Sequence, residues 1–143
     1  MKKTIMMGLA LAVMLVCRPK ILVAQDVVPV EYKTADDYIS EIFGDKAKIA
    51  TAVILHESQN KLDAVNYNCI YGGKSTSCRK GDEPKAWSVD CGIGQINVRA
   101  KSCPSDLLTL EGNMEAIEKI YQTQGLNAWV SYKTGRYKKY MNV

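Results

Sequence analysis

Apolar residues recur at helical spacing in three stretches of the chain. They predict helices over residues 35–43, 46–56 and 113–124, with Thr34 as a cap for the first helix and Gly44 as its stop. The second helix is apolar over most of its circumference, which indicates that it is mostly buried. The positions expected to face the core are Tyr38, Ile42, Phe43, Ile49, Ala50, Val53, Ile54, Met114, Ile117, Ile120 and Tyr121.

Residues 60–91 lack this periodicity and are rich in Asn, Gly, Ser, Lys and Asp. They predict a small β-hairpin or loop lobe. Short helical stretches are predicted over residues 93–98 and 105–110, and a last helical piece over residues 128–132. The predicted fold class is α+β, mainly α, with a helical lobe and a small β-containing lobe on either side of a cleft.

Residues 1–24 have the layout of an export signal, with two lysines before an apolar run and Ala24 at a cleavage site. The apolar run, residues 5–17, is shorter than the roughly 20 residues that a membrane-spanning helix needs. An uncleaved membrane anchor is the alternative interpretation. Residues 25–33 contain proline and no pattern, so they predict a flexible lead-in to a folded domain over residues 34–143.

The net charge of +4 lies in the predicted signal and not in the folded domain. Four of the 19 basic residues precede residue 25, and the remaining 15 balance the 15 acidic residues. The basic balance therefore gives no reason to expect a nucleic-acid partner. A cluster near the C-terminus is interpreted as a solvated helix face, and it consists of Lys133, Arg136, Lys138 and Lys139.

Four cysteines follow the predicted signal, and an even set in a small exported chain indicates two disulfides and an extracytoplasmic location. Four cysteines allow three pairings, which the sequence leaves open. Short loops favour Cys69 with Cys78 and Cys91 with Cys103, and Gly72–Gly73 could turn the chain between the first two. A zinc site is the alternative, but the chain has no Cys-x-x-Cys pair.

A single histidine, His56, excludes most histidine-based catalysis in this chain. His56-Glu57 begins like a zinc-protease motif, but position 60 is Asn60 instead of a second His, and there is no P-loop. Carboxylate chemistry remains, with Glu57 at the end of an apolar helix. A carboxyl group held against apolar neighbours has a raised pKa and can protonate a glycosidic oxygen near neutral pH. An exposed Glu at a helix end is the alternative interpretation.

Three segments occur in the order found in one known superfamily. They are His56-Glu57-Ser58-Gln59-Asn60, Asp90-Cys91-Gly92-Ile93-Gly94-Gln95-Ile96-Asn97 and Gly125-Leu126-Asn127-Ala128-Trp129-Val130. Together they resemble the lysozyme-like superfamily, which includes the c-type lysozymes and the soluble lytic transglycosylase domain. The resemblance covers residues 35–140 and implies a lysozyme-like fold that cleaves the MurNAc-β-1,4-GlcNAc bond of peptidoglycan.

The resemblance also implies roles for individual residues. Glu57 corresponds to the catalytic acid, and Trp129 to the aromatic residue that packs near it. Tyr132 and Tyr137 resemble the late tyrosines of the transglycosylase domain, one of which approaches the catalytic site, and half-buried packing is the alternative for both. The implied substrate-binding residues are Ser58, Gln95, Asn97, Trp129 and Tyr132.

Asp90 stands two residues before Gly92, where c-type lysozymes carry a second catalytic carboxylate and the transglycosylase domain usually has no acid. If Asp90 lies about 5 Å from Glu57, retaining hydrolysis is available. With one acid, the sugar's own 6-hydroxyl or acetamido group closes the ring and leaves an anhydro product. We expect transglycosylase chemistry ahead of hydrolysis.

Two further residues bear on the shape of the cleft. Position 94 is Gly94, where the superfamily often has a larger apolar residue, and Trp87 could stack on a sugar or pack the hairpin.

The expected partner is the glycan strand of peptidoglycan, and no metal, nucleotide or organic cofactor is implied. The short chain fits local wall remodelling, or the opening of a gap for a secretion apparatus in the cell envelope, and we expect a monomer. Two alternatives come from other classes of protein. One is a lysozyme-like protein that binds glycan without cleaving it, and the other is a disulfide-tied secreted interaction domain with no sugar site.

Overall fold

The chain from Lys33 to Asn142 folds as an α+β structure in which helices pack against a four-stranded antiparallel sheet. These residues, 33–142, are the part of the chain that the computed structural model describes. The predicted export signal over residues 1–24 and the lead-in as far as Tyr32 lie outside them. No helix within residues 33–142 has both the length and the apolar character to cross a membrane.

The first helix, α1, spans Ala35–Phe43, as the sequence predicts. The Thr34 hydroxyl oxygen accepts a hydrogen bond from the Asp37 N–H at 3.3 Å, and the Asp37 carboxylate accepts one from the Thr34 N–H at 2.7 Å. This capping box satisfies two backbone donors at the helix start. Hydrogen bonds from the Thr34 side chain and backbone also hold the pKa of Asp37 below its ordinary value of 3.8.

The second helix, α2, spans Ala47–Ser58 and follows a 3₁₀ turn at Gly44–Lys46. It ends at Gln59, whose backbone is left-handed with φ +56° and whose N–H donates to the Leu55 carbonyl at 3.1 Å. The helix buries Ala50, Ala52, Val53, Ile54 and Ser58. The core therefore fixes α2 along its length, so its last turn is a rigid support for the side chains that it carries.

The third helix, α3, spans Leu110–Gln124 and begins three residues before the predicted start at position 113. Thr109 caps it, because its hydroxyl oxygen accepts a hydrogen bond from the Gly112 N–H at 3.2 Å. The stretch predicted over residues 105–110 contains a 3₁₀ turn at Asp106–Leu108 that leads into α3. The chain then continues through a 3₁₀ turn at Gly125–Ala128, helix α4 at Val130–Lys133 and a 3₁₀ turn at Arg136–Tyr140.

The sheet has the strand order β2-β1-β3-β4 with antiparallel neighbours throughout. Its strands are β1 (Val65–Tyr71), β2 (Lys74–Ser77), β3 (Ser88–Cys91) and β4 (Ile96–Val98). The helix predicted over residues 93–98 is wrong, because Ile96–Val98 forms β4. The spacing of Ile93 and Ile96 suits a helix, but left-handed backbone at Gly92 (φ +68°) and Gln95 (φ +50°) reverses the chain into a hairpin.

Both disulfides favoured by the sequence are present. The bond between Cys69 and Cys78 crosses the hairpin of β1 and β2, and the bond between Cys91 and Cys103 ties the end of β3 to the chain beyond β4. Two disulfides in a chain of this size are compatible with a protein that works outside the reducing cytoplasm.

A polar cluster holds the loop that follows β2. The Tyr71 hydroxyl donates a hydrogen bond to Asp82 at 2.7 Å and accepts one from the Arg79 N–H at 3.0 Å. The Lys85 ammonium group donates to the other Asp82 oxygen at 2.7 Å. The hydrogen bonds from Lys85 and then Tyr71 hold the pKa of Asp82 below its ordinary value of 3.8.

The hydrophobic core lies between the helices and the inner face of β3 and β4. Trp129, from the segment before α4, is 7% exposed and packs its ring 6.5 Å from that of Phe43. Burial of a side chain such as Ile117, which is 0% exposed, contributes roughly 1.5–3 kcal/mol. The other buried apolar residues are Ile39, Ala50, Val53, Ile54, Val89, Cys91, Ile93, Ile96, Leu107, Met114 and Leu126.

Candidate active site

A cavity of about 460 Å³ opens where the end of α2, the polar face of the sheet and the segment before α4 meet. Five of the seven residues predicted for the catalytic and substrate-binding set line it, and Ser58 and Tyr132 do not. The lining residues are His56, Glu57, Asn66, Asp90, Gln95, Asn97, Ala128, Trp129 and Val130.

Glu57 projects into this cavity from the last turn of α2 and is half-buried. One of its carboxylate oxygens, Oε1, accepts a short hydrogen bond from the Ser131 hydroxyl. Ser131 lies on α4 and is only 2% exposed, so its hydroxyl is held in one environment. Within residues 33–142, no group donates to the second oxygen, Oε2, which leaves that oxygen available to a ligand.

Asp90 lies on β3, at the centre of a row of amide side chains. Its Oδ1 accepts a hydrogen bond from Asn97 at 2.6 Å, and its Oδ2 accepts bonds from Asn66 at 3.1 Å and Asn68 at 2.9 Å. The three donors are all side-chain amide N–H groups, and together they bond to both carboxylate oxygens. The carboxylate is therefore fixed in place with both oxygens occupied.

The register of the sheet explains why these residues meet. Asp90 is the direct partner of Asn66 on β1 and of Asn97 on β4, and side chains directly opposite one another share a face. Val89 and Cys91 alternate with Asp90 and are fully buried, so they point to the core. One strand thus supplies both the packing that anchors the sheet and the carboxylate that faces the cavity.

The amide groups of the cavity present mainly oxygen atoms to a ligand. The Gln95 side-chain nitrogen donates to the carbonyls of Ala64 at 3.2 Å and Gly92 at 3.0 Å. The Asn97 nitrogen is likewise bonded to the Ser88 hydroxyl at 3.1 Å and to Asp90. Among the described residues, no donor reaches the amide oxygens of Gln95 and Asn97. Together with the carboxylates, these oxygens favour a ligand that is rich in hydrogen-bond donors.

Asn113 is a site residue that sequence reasoning missed. It lies on α3, is 0% exposed, and uses its whole amide group to hold the hairpin of β3 and β4. Its Oδ1 accepts a hydrogen bond from the Gly94 N–H at 2.9 Å, and its Nδ2 donates to the carbonyls of Cys91 at 3.0 Å and Leu107 at 2.6 Å. The turn that carries Gln95 is therefore anchored to the core by one buried side chain.

Gly94 is required by this close packing. A Cβ atom at position 94 would lie 2.6 Å from both Cγ1 and Cδ1 of Ile117. The Gly94 carbonyl also accepts a hydrogen bond from the Trp129 indole at 2.9 Å. The absence of a side chain at position 94 thus lets α3 and Trp129 approach the backbone of the hairpin.

The remaining aromatic and hydroxyl candidates lie away from the cavity. The Ser58 hydroxyl donates to the Ile54 carbonyl within α2 at 3.3 Å. Tyr132 stacks on Tyr137 with ring centroids 5.3 Å apart. Trp87 packs the hairpin, since its indole donates to the Ser75 hydroxyl at 3.1 Å.

His56 lines the cavity beside Glu57, and its ring meets the Tyr140 ring edge-on at 6.1 Å. Its Nδ1 is buried and has no hydrogen-bond partner among the described residues. No group of three or more His, Cys, Asp or Glu within residues 33–142 is arranged to hold a metal ion.

The cleft continues past the first cavity. A neighbouring cavity of about 260 Å³ shares Gln95, Asn97, Ala128 and Trp129 with it and adds Ile120 and Gln124 from α3. Two adjoining cavities suit an elongated ligand better than a compact one.

Comparison of the chain with protein-family models, with curated proteins and with solved structures finds no match. The indications of its function are therefore the motifs of the chain and the geometry of this cleft.

Proposed function

We propose that this protein cleaves the MurNAc-β-1,4-GlcNAc bond of peptidoglycan as a lytic transglycosylase of the lysozyme-like superfamily, with Glu57 as general acid and then base. The observation that carries the proposal is the convergence of Glu57, Asp90, Gln95 and Asn97 on one cavity. Glu57 comes from the first of the resembling motifs and the other three residues from the second, and all four side chains line the same cavity.

In the proposed reaction, Glu57 gives up one proton in the first step and regains one in the second. Protonated Glu57 gives its proton to the glycosidic oxygen, and the bond from that oxygen to C1 of the muramic sugar breaks. The 6-hydroxyl of the same sugar then attacks C1, and the Glu57 carboxylate removes the hydroxyl proton. The products are a 1,6-anhydro muramic end and a free N-acetylglucosamine end, and the acid is restored.

Asp90 contributes charge to this reaction. Positive charge develops on the sugar ring as the bond to C1 breaks, and a fixed carboxylate in the same cavity stabilises it. Both Asp90 oxygens are already bonded to asparagine amides, which disfavours their attack on C1. This favours the intramolecular route to an anhydro product. Hydrolysis is the second candidate reaction, because Asp90 does line the cavity of Glu57.

The oxygen-rich wall supports a sugar as substrate. Hydroxyl and acetamido N–H groups are donors, and the unbonded amide oxygens of Gln95 and Asn97 accept them. Trp129 adds an aromatic surface to both adjoining cavities. A donor-rich chain of several rings matches the shape and the hydrogen-bonding character of the cleft.

Export and a role at the cell envelope belong to the same proposal. The substrate lies outside the cytoplasm, and both disulfides are compatible with that location. Local wall remodelling, or the opening of a gap for a secretion apparatus, fits a monomeric enzyme of this size. A glycan-binding protein without turnover is the alternative, and the free Oε2 of Glu57 favours the enzyme.

The test is mass spectrometry of the fragments that the full-length protein releases from purified peptidoglycan. Anhydro muramic ends should appear with the wild type and with Glu118→Gln, an exposed matched control, and should be lost with Glu57→Gln. Reducing muramic ends would replace the transglycosylase proposal with hydrolysis. If folded protein sediments with the wall and releases nothing, the binding alternative holds.

A further inference from the structure

The C-terminal part of the chain carries basic residues and no acidic ones. No Asp or Glu follows Glu118, whereas five basic residues follow it. Of these five, Lys119 pairs with Glu115, and the other four have no carboxylate partner among residues 33–142. We call residues 130–140 the basic strap; its exposed cations are Lys133, Arg136, Lys138 and Lys139.

The basic strap meets the rim of the active-site cavity at both of its ends. Val130 lines the cavity and is 57% exposed, and Lys133 lies one turn further along α4 on a neighbouring part of the same face. At the other end, the Lys139 ammonium group lies 4.9 Å from the centre of the Tyr140 ring. That ring packs against His56, which also lines the cavity.

The cavity and the strap have opposite electrostatic character. Within the cavity, Glu57 and Asp90 supply carboxylates, and the amide groups of Gln95 and Asn97 present oxygens. An anionic group inside the cavity would lie beside these carboxylates and oxygens and is therefore repelled from the interior. The strap, which adjoins this cavity through Val130, carries four exposed cations that attract an anionic group.

We propose that the basic strap binds the carboxylates of the peptide stems on the glycan strand that occupies the cleft. This proposal rests on the proposed function, because peptidoglycan carries its stems on the muramic sugars. The neutral sugar rings enter the oxygen-lined cavity, while the anionic stems leave it and meet the strap. Such contacts hold the bound strand equally before and during the reaction, so they lower KM and leave kcat unchanged.

The test compares two triple variants with the same change in net charge. One replaces strap residues (Lys133→Gln, Lys138→Gln and Lys139→Gln), and the control replaces exposed lysines elsewhere (Lys46→Gln, Lys48→Gln and Lys80→Gln). Binding is measured by co-sedimentation of the full-length protein in the Glu57→Gln background, which separates binding from cleavage. The probes are peptidoglycan free of phosphate polymers, either with its stem carboxylates free or after carbodiimide coupling has converted them to neutral amides.

The strap variant should bind stem-bearing peptidoglycan about tenfold more weakly at low salt, from three exposed ion pairs of modest strength each, and the control less than twofold. Raising the salt should reduce the difference, and amidated peptidoglycan, which lacks the stem carboxylates, should bind both variants equally. The proposal is overturned if the two variants are weakened equally, if the strap variant is weakened as much on amidated peptidoglycan, or if it is not weakened at all. Strap-dependent binding by a wild type that releases no fragments would remove the proposed catalysis and leave stem recognition standing.

Discussion

Replacing Asn113 with alanine tests whether one buried amide holds the substrate-facing hairpin in place. The substitution removes three hydrogen bonds and leaves the Gly94 N–H and the carbonyls of Cys91 and Leu107 without partners in the core. Each lost bond costs about 1 kcal/mol, and a buried unpaired donor costs about 1–3 kcal/mol more. We therefore expect a loss of roughly 4–6 kcal/mol, which is a large share of the stability of a typical domain.

The assay is urea unfolding with both disulfides intact, followed by circular dichroism, and the melting temperature should fall by roughly 15–25 °C. Asn127→Ala is the matched control, because Asn127 is exposed, and it should change the free energy of unfolding by less than about 0.5 kcal/mol. If Asn113→Ala loses no more than this control, the buried-network reasoning is refuted.

Three further predictions concern the acid, the hairpin and the loop after β2. Ser131→Ala should lower kcat by tenfold or more with KM unchanged, since it removes the donor to Glu57; a change confined to KM in fragment-release kinetics would contradict this. Gly94→Ala should lower the free energy of unfolding in urea by about 1–3 kcal/mol, because the new Cβ meets Ile117. Adding Ile117→Val should restore part of that loss, and losses that simply add in the double variant would contradict a steric clash between the two residues. Because the pKa of Asp82 is lowered in the folded state, its carboxylate stabilises the fold fully above pH 3.8, and this stabilisation is lost as pH falls through the folded-state pKa. Asp82→Asn should therefore lower the free energy of unfolding at pH 6 and have a shrinking effect below pH 3.8. If the difference in unfolding free energy between the wild type and Asp82→Asn does not change with pH, the lowered pKa of Asp82 does not stabilise the fold.

The helices were predictable because local patterns determine them. Thr34 marks the start of α1 through its capping box, and the apolar run before His56 matches a helix that is buried over much of its surface. Residues 93–98 were not predictable in the same way. Their apolar spacing is ambiguous, and the hairpin depends on Asn113, which lies in another helix and approaches only after folding.

The candidate site was predictable where its residues lie within the resembling motifs. Glu57, Asp90 and Trp129 belong to those motifs, and the fold places them on one cavity. Ser131 was missed because its bond to the acid joins residues 74 positions apart. Asn66 could have been recognised, since Asn-x-Asn in a strand places two amides on one face, but only the strand register pairs it with the carboxylate.

The position of Trp129 gives the protein an optical reporter of its own. The indole is buried against the core, bonded through its N–H to Gly94, and borders both cavities of the cleft. The second tryptophan, Trp87, packs on the hairpin away from the cavity lining. In a Trp87→Phe variant, the tryptophan fluorescence, excited at a wavelength that tyrosine does not absorb, would come from Trp129 in the cleft alone. Glycan that displaces water from the indole should then shift the emission, so that occupancy of the cleft can be followed without a label.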